Sequence, residues 1–226
     1  EISACLVGSE MCIRDRVNAA VCAQTMILEY SPDYIINTGV AGGLSEELKI
    51  GDAAVADKVA EHDMDTSPLG DELGFITGIN KVYMQCDEYI SGLMYDAAKS
   101  VDGINAVRGT IASGDQFIAS EEQRRFIKKN FNAVAAEMEG AAIGHVCTMN
   151  NVKFGVLRAI SDGANSDSTI DFPTNSRLAL IDFVEIYDSK TVTAPYTAIA
   201  VIGTNMSLSS EVAISAAIEP IVIPFI

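Results

Sequence analysis

The sequence predicts a single α/β domain with a central mixed, largely parallel β-sheet flanked by helices. Short apolar runs alternate with stretches of helical periodicity along most of the 226 residues. Four of the predicted strands lead into glycine, serine or acidic residues, at positions 37–43, 113–118, 137–139 and 161–162. Because the carboxyl ends of parallel strands meet at one edge of a sheet, we expect these segments to lie together and to form a ligand crevice.

The overall composition limits the classes of function. Hydrophobic residues make up 49% of the chain, which is enough for one sizeable core. The formal net charge of −16 opposes binding to a phosphate backbone, so we expect no nucleic-acid partner. Five cysteines without a C-x-x-C pair favour free thiols, and no apolar run has membrane-spanning length. We therefore expect a cytoplasmic protein with no membrane association and no cofactor.

Regular elements begin at Val17. Apolar residues at helical spacing predict a helix from Val17 to Ser31, where Pro32 prevents its continuation. A short strand over 33–37 leads into a glycine-rich turn over 38–44, where backbone N–H groups can approach a ligand. This turn has neither the G-x-G-x-x-G spacing of dinucleotide binders nor the lysine of a P-loop, so a plain tight turn is equally well supported.

The rest of the chain continues the alternation. Residues 61–80 are rich in turns and begin with His62, Asp63 and Asp65, but one histidine and two aspartates without further ligands argue against a metal site. Ser120 is expected to cap a helix. The patterns predict strands over 53–56, 107–112, 133–136 and 152–160, and helices over 87–101, 121–130, 138–150 and 174–187.

The two ends differ in character from the middle. Residues 1–16 show no helix or strand period, and we expect them to be foreign to the domain, which would then lack its native N-terminal portion. The domain itself is expected over residues 17–190. Beyond it, only Glu211 and Glu219 are charged, so residues 191–226 form an atypical, charge-poor tail that would be an aggregation hazard if exposed.

Glu137 and Glu139 stand where a predicted strand gives way to a helix. Carboxylates are seldom buried without a partner or a task, so the pair is a candidate for ligand binding. Acidic residues also complement the dipole in the first turn of a helix. Taken alone, the two glutamates favour this second interpretation.

Six stretches in the middle of the chain, over residues 17–173, share a pattern with a known family: PDYIINTGVAGGL, KIGDAAVAD, HDMD, NAVRGTIASGDQFI, AAEMEGAAIGHVC and VLRAISDGAN followed by DFP. With these stretches the chain resembles the 5′-methylthioadenosine/S-adenosylhomocysteine nucleosidases of the purine nucleoside phosphorylase superfamily. NTG-x-AGGL and SGDQFI are more specific to the nucleosidase branch than the other stretches. The resemblance implies a nucleoside phosphorylase-like fold and hydrolysis of the N-glycosidic bond of a purine thionucleoside, with release of adenine in methionine salvage.

The resemblance also implies roles for the acidic residues. Asp162 is expected to act as the general acid at N7 of the adenine, held by Ser161, and it has to carry a proton for this purpose. Glu139, with Met138 alongside, is expected to lie against the ribose hydroxyls and to stabilise a ribosyl cation-like transition state. Glu137 is expected nearby in a supporting place among the substrate-binding residues.

Further residues complete the implied pocket. Phe117 is expected to stack on the adenine, the Ile118 backbone to contact its Watson–Crick edge, and Phe172 to flank the pocket. Ala41 and Gly42 are expected to line the sugar side. Either phenylalanine alone is more simply explained as a core aromatic, so the prediction depends on the motifs occurring together and in this order.

The chain departs from the family pattern in two places. The family opens with a strand that ends in a water-activating carboxylate, followed by a Ser-Gly-Ile-Gly-Lys turn, and residues 1–16 contain neither. We therefore expect this chain to be inactive or nearly so, while still binding purine nucleosides. Leu69 stands where relatives often carry a phenylalanine that reaches the partner's 5′-pocket, and a homodimer is implied.

Two alternatives remain open at this point. A phosphorolytic purine nucleoside phosphorylase would share the general motifs but would need a phosphate site. A catalytically inactive purine-nucleoside-binding fragment would keep the pocket without turnover.

Overall fold

The computed structural model of the chain describes residues 15–162 and 199–203. The helices in these ranges are α1 (Arg16–Tyr30), α2 (Glu88–Lys99), α3 (Glu121–Phe131) and α4 (Gly140–Asn150). The strands are β1 (Tyr34–Gly43), β2 (Ala53–Glu61), β3 (Tyr83–Gln85), β4 (Ala106–Ser113), β5 (Ala133–Glu137), β6 (Lys153–Asp162) and β7 (Ile199–Gly203). The predicted helix over 174–187 lies outside the described residues.

Five strands form a closed ring in the order β2-β4-β5-β1-β6, because β6 pairs back onto β2. β3 extends the sheet from β2, and β7 lies beside β1. Four pairings are parallel (β1–β6, β1–β7, β2–β4, β4–β5) and three are antiparallel (β1–β5, β2–β3, β2–β6). The predicted mixed, largely parallel sheet with flanking helices is therefore confirmed.

Helices cover both faces of the sheet. Ile35 of β1 belongs to an apolar cluster with α1 and α4, whereas the next residue, Ile36, points the other way and belongs to a cluster with α2. A third cluster joins Ile127 and Phe131 of α3 to the strands. Burial on both faces explains why the strand sequences are continuous apolar runs without alternation.

β1 is longer than its sequence predicts. The glycine-rich turn predicted over 38–44 is wrong for residues 38–43, which continue the strand. Small residues let the strand bend: its register against β6 shifts between Ala41 and Gly42, and Gly42 then pairs with Ala136 of β5 in the antiparallel sense. The bend brings the end of β1 against both β5 and β6.

The helix boundaries follow the predictions closely. Ser120 caps α3 in a capping box with Gln123, as expected. α4 begins at Gly140, two residues later than its predicted start at 138, because β5 runs on to Glu137. No helix within the described ranges is long and apolar enough to cross a lipid bilayer.

The start of α1 is tied to the ends of two strands. The Asp15 side chain accepts a hydrogen bond from the Asn18 backbone and caps the helix. The Arg16 guanidinium forms ion pairs with Glu61 at the end of β2, and with Asp63 and Asp115 in the loops that follow β2 and β4.

β7 is the last of these strands in the chain, yet it lies in the sheet beside β1. The two strands are parallel, and the register runs from Tyr34 opposite Ile199 to Thr38 opposite Gly203. A strand from the segment predicted as a charge-poor tail thus pairs with the backbone of β1 on the side opposite β6.

Candidate active site

The carboxyl ends of β1, β4, β5 and β6 converge at one edge of the sheet. Ser113 of β4 pairs with Glu137 of β5, and Gly42 of β1 pairs with Asp162 of β6. The four segments that the sequence predicts to converge are therefore neighbours. Ser113, Glu137 and Asp162 are all buried polar residues at this edge.

Glu137 is fully engaged by the protein. Its carboxylate accepts hydrogen bonds from the Ser113 hydroxyl, from the backbone N–H groups of Glu139 and Gly140 at 3.0 and 2.8 Å, and from Arg158. The negative charge of Glu137 therefore lies at the N-terminus of α4, where it complements the helix dipole. These contacts connect Glu137 to β4, to β6 and to the start of α4.

Arg158 is the fully buried cation behind this cluster, and sequence reasoning missed it. Its guanidinium donates to Asn37 and Glu137 and lies 3.7 Å from the Glu139 carboxylate. Its neighbours across the sheet are Gly39 and Ala54, whose small size leaves room for a long side chain. The available signal was a lone arginine inside the apolar run VKFGVLRAI.

Glu139 is buried but makes no capping bond to α4. Burial raises the pKa of Glu139 to about 8, and the nearby charge of Glu137 acts in the same direction, while Arg158 opposes it. The interpretation of Glu139 as a helix-capping acid is therefore not supported, because Glu137 fills that role. Its carboxyl group thus lies beside both Arg158 and Glu137.

Asp162 is held from three sides. Its Oδ1 accepts a hydrogen bond from the Ser161 hydroxyl at 2.9 Å, and its Oδ2 lies 3.2 Å from Nη2 of Arg124 on α3. Gly42 forms the third side, since a Cβ at that position would stand 3.0 Å from Oδ2. The Ser161 hydroxyl also reaches the Ala41 carbonyl oxygen at 3.4 Å. Arg124 gave no signal in the sequence, because it sits among other charges in a helix.

The loop between β4 and α3 carries the candidate purine contacts. The Phe117 side chain is 62% exposed, so it is not the core aromatic that its residue type alone suggested. Ile118 is partly buried against the third apolar cluster, and Met138 is half-buried between the two glutamates. Phe172 lies outside the described residues.

Comparisons with known proteins agree with this architecture. Residues 4–188 match the phosphorylase superfamily. A 5′-methylthioadenosine/S-adenosylhomocysteine nucleosidase of Shewanella loihica is 39% identical over 158 residues, which cover 70% of this chain and 68% of the relative. The chain belongs to this nucleosidase family.

Two further relatives extend the comparison. An aminodeoxyfutalosine nucleosidase of Campylobacter jejuni is 39% identical over 157 residues, covering 70% of this chain and 68% of the relative. The crystal structure of the Neisseria meningitidis 5′-methylthioadenosine/S-adenosylhomocysteine nucleosidase in complex with methylthio-immucillin-A gives a TM-score of 0.71 at 34% identity, covering 78% of each chain. The family resemblance of the motifs is confirmed.

The buried cation of this nucleosidase-family protein yields a stability prediction. Arg158→Met is expected to lower the free energy of unfolding by about 3–5 kcal/mol, because it leaves the Glu137 charge buried without its partner. Arg108→Met is the matched control: Arg108 pairs with Asp57 and Glu88 at the surface, where a loss of about 0–1 kcal/mol is expected. Urea unfolding measures both, and equal losses would contradict the role of Arg158.

The raised pKa of Glu139 predicts a pH-dependent stability. The folded protein binds the Glu139 proton more tightly than the unfolded chain does, so the stability contribution of this group is present below its ordinary pKa of 4.5 and is lost as pH rises towards about 8. Glu139→Gln removes this loss. We expect its melting temperature to match that of the unsubstituted protein near pH 4.5 and to exceed it increasingly up to about pH 8; a constant difference would contradict the prediction.

Proposed function

We propose that this protein hydrolyses the N-glycosidic bond of 5′-methylthioadenosine and S-adenosylhomocysteine and releases adenine, a step of methionine salvage. The observation that carries the proposal is that two acidic side chains lie at the same edge of the sheet and that each has its own set of protein partners. Glu139 lies near the buried Arg158, and Asp162 is held by Ser161 and Arg124. Membership of the nucleosidase family supplies the substrate class.

Asp162 is assigned the proton donation. Cleavage leaves electron density on the purine, and a proton delivered to N7 turns it into a better leaving group. The Ser161 hydroxyl fixes one carboxyl oxygen, and the absence of a side chain at Gly42 leaves room for the other.

Glu139 is assigned the ribosyl side. The sugar becomes cationic as the bond breaks, and this positive charge favours the ionised form of Glu139 in spite of its raised pKa. The carboxylate then accepts hydrogen bonds from the ribose hydroxyls and stabilises the cationic state more than the ground state. Arg158 and Glu137 fix the strand-to-helix junction on which Glu139 stands. Met138, between the two glutamates, is assigned to the wall of the sugar site.

The purine side is assigned to the loop after β4. Phe117 offers an exposed ring for stacking, and the Ile118 backbone is assigned to the Watson–Crick edge of the adenine. Ala41 and Gly42, which have almost no side chain, are assigned to the sugar side, and Phe172 to the flank of the pocket.

Adenine release from methylthioadenosine, measured with and without inorganic phosphate, tests the reaction. The proposed function predicts release that does not depend on phosphate, in contrast to the near-inactivity expected from the sequence of residues 1–16 alone. Strictly phosphate-dependent cleavage of inosine, without turnover of the thioadenosines, would identify a phosphorylase instead. Nucleoside binding without any adenine release would identify the inactive purine-binding protein that the sequence also allows.

A second candidate substrate is aminodeoxyfutalosine. The relative named for this nucleoside is as similar to the chain as the thioadenosine nucleosidase is, at 39% identity each. Comparison of kcat/KM for the two substrates decides between them.

The general-acid assignment yields a kinetic prediction. Asp162→Asn is expected to reduce kcat by at least about a hundredfold, because an amide cannot give a proton to N7. Affinity for an adenosine analogue should remain measurable, because an amide can still form a hydrogen bond there. Steady-state kinetics and calorimetric titration provide the two values, and an unchanged kcat would remove Asp162 from this role.

We further propose that the protein is a homodimer. Val17, Val21 and Leu28 of α1 are exposed, and Leu69 projects from the HDMDTSPLG loop that the family resemblance assigns to the partner's 5′-pocket. Light scattering is expected to give twice the mass of the chain. A fully active monomer would exclude this arrangement.

We assign the protein to the cytoplasm. Cys86 and Cys147 are free thiols, which is typical of a reducing compartment. Fractionation of the source cells tests the assignment, and recovery of the protein outside the cytoplasmic fraction would contradict it.

A further inference from the structure

We propose that Arg124 is a positioning residue for the reaction: it holds Asp162 in place and stabilises the charge that Asp162 acquires on giving up its proton. This inference rests on the proposed function and adds a residue to it. The resemblance that predicted the other site residues assigned nothing to Arg124.

Arg124 is set apart from the other charges of its helix. The residue is only 7% exposed, and its guanidinium ends 3.2 Å from the Asp162 carboxylate, which is also nearly buried. The next residue, Arg125, has a side chain that is 77% exposed and pairs with Glu121 one turn away. Burying a guanidinium costs free energy, so its placement against a nearly buried carboxyl group calls for a specific role.

The contacts of Asp162 leave it little rotational freedom. Ser161 binds one oxygen, Arg124 the other, and Gly42 closes the side on which any larger residue would collide with the carboxyl group. The guanidinium therefore fixes the direction in which the proton can be delivered.

Arg124 also joins the proton donor to the purine-stacking loop. The capping box of Ser120 and Gln123 fixes the first turn of α3, and the Gln123 side chain donates a further hydrogen bond to Gln116 at 3.2 Å. Phe117 follows directly after Gln116. The stacking ring and the arginine that holds the acid thus belong to one continuous, hydrogen-bonded segment.

The proton transfer explains why a cation is useful here. The O–H bond of Asp162 breaks and an N7–H bond forms on the purine, while the electron pair of the O–H bond stays on the carboxylate. The electron pair of the glycosidic bond moves to the purine. The oxygen of a water molecule then bonds to the cationic ribosyl carbon, and the extra proton of that water passes to the solvent. Because Asp162 becomes negative during this step, a fixed guanidinium stabilises the transition state more than the bound substrate. Its removal should therefore reduce kcat and leave KM nearly unchanged.

Arg124→Met, measured in the full chain with methylthioadenosine, tests the role. Loss of one charge-assisted hydrogen bond is expected to reduce kcat about 10- to 100-fold, with KM changed by less than about threefold. Arg124→Lys keeps the charge and should recover most of kcat. Arg125→Met is the matched control on the same helix and should leave both constants unchanged.

A double-mutant cycle with Asp162→Asn separates positioning from a structural role. If Arg124 acts through Asp162, then Arg124→Met causes no further loss of kcat in the Asp162→Asn background. The same fold-loss in both backgrounds, an unchanged kcat in Arg124→Met, or a loss that tracks a lowered melting temperature in the lysine variant as well would overturn the inference. Absence of adenine release by the unsubstituted protein would instead refute the proposed function, and the inference with it.

Discussion

The buried contact between Arg158 and Glu137 links β1, β4, β5, β6 and the start of α4. Arg158 comes from β6, Glu137 from the end of β5, Asn37 from β1, and Ser113, which also binds Glu137, from β4. The same carboxylate receives the first N–H groups of α4. A buried charge left without its partner is strongly destabilising, so these strand ends and the helix start are held to one arrangement.

This arrangement divides the remaining acids into two environments. Glu139 lies beside Arg158 and Glu137, where burial and the Glu137 charge favour its protonated form and Arg158 favours its charged form. Asp162 lies against Gly42 with its own cation, Arg124, from a different helix. Acids with separate partners can serve separate tasks, and cleavage of a glycosidic bond needs one group for the leaving base and another for the sugar.

The sequence by itself determined the alternation of elements, most helix boundaries and the segments that meet at the sheet edge. Local signals suffice for these features, because each depends on residues that are close together in the chain. Examples are the Ser120 cap, the proline after α1 and the continuous apolar runs of the strands. The motifs also pointed to the nucleosidase family.

Only the tertiary structure decided how the polar groups are shared. In the structure, β1 continues through the predicted glycine turn. Glu137, and not Glu139, accepts the hydrogen bonds from the start of α4, and Arg124 and Arg158 lie in the site. The structure also sets a strand from the end of the chain beside β1. These features depend on contacts between residues far apart in the chain, and a local pattern of charge or hydrophobicity carries no information about which distant group will become the partner.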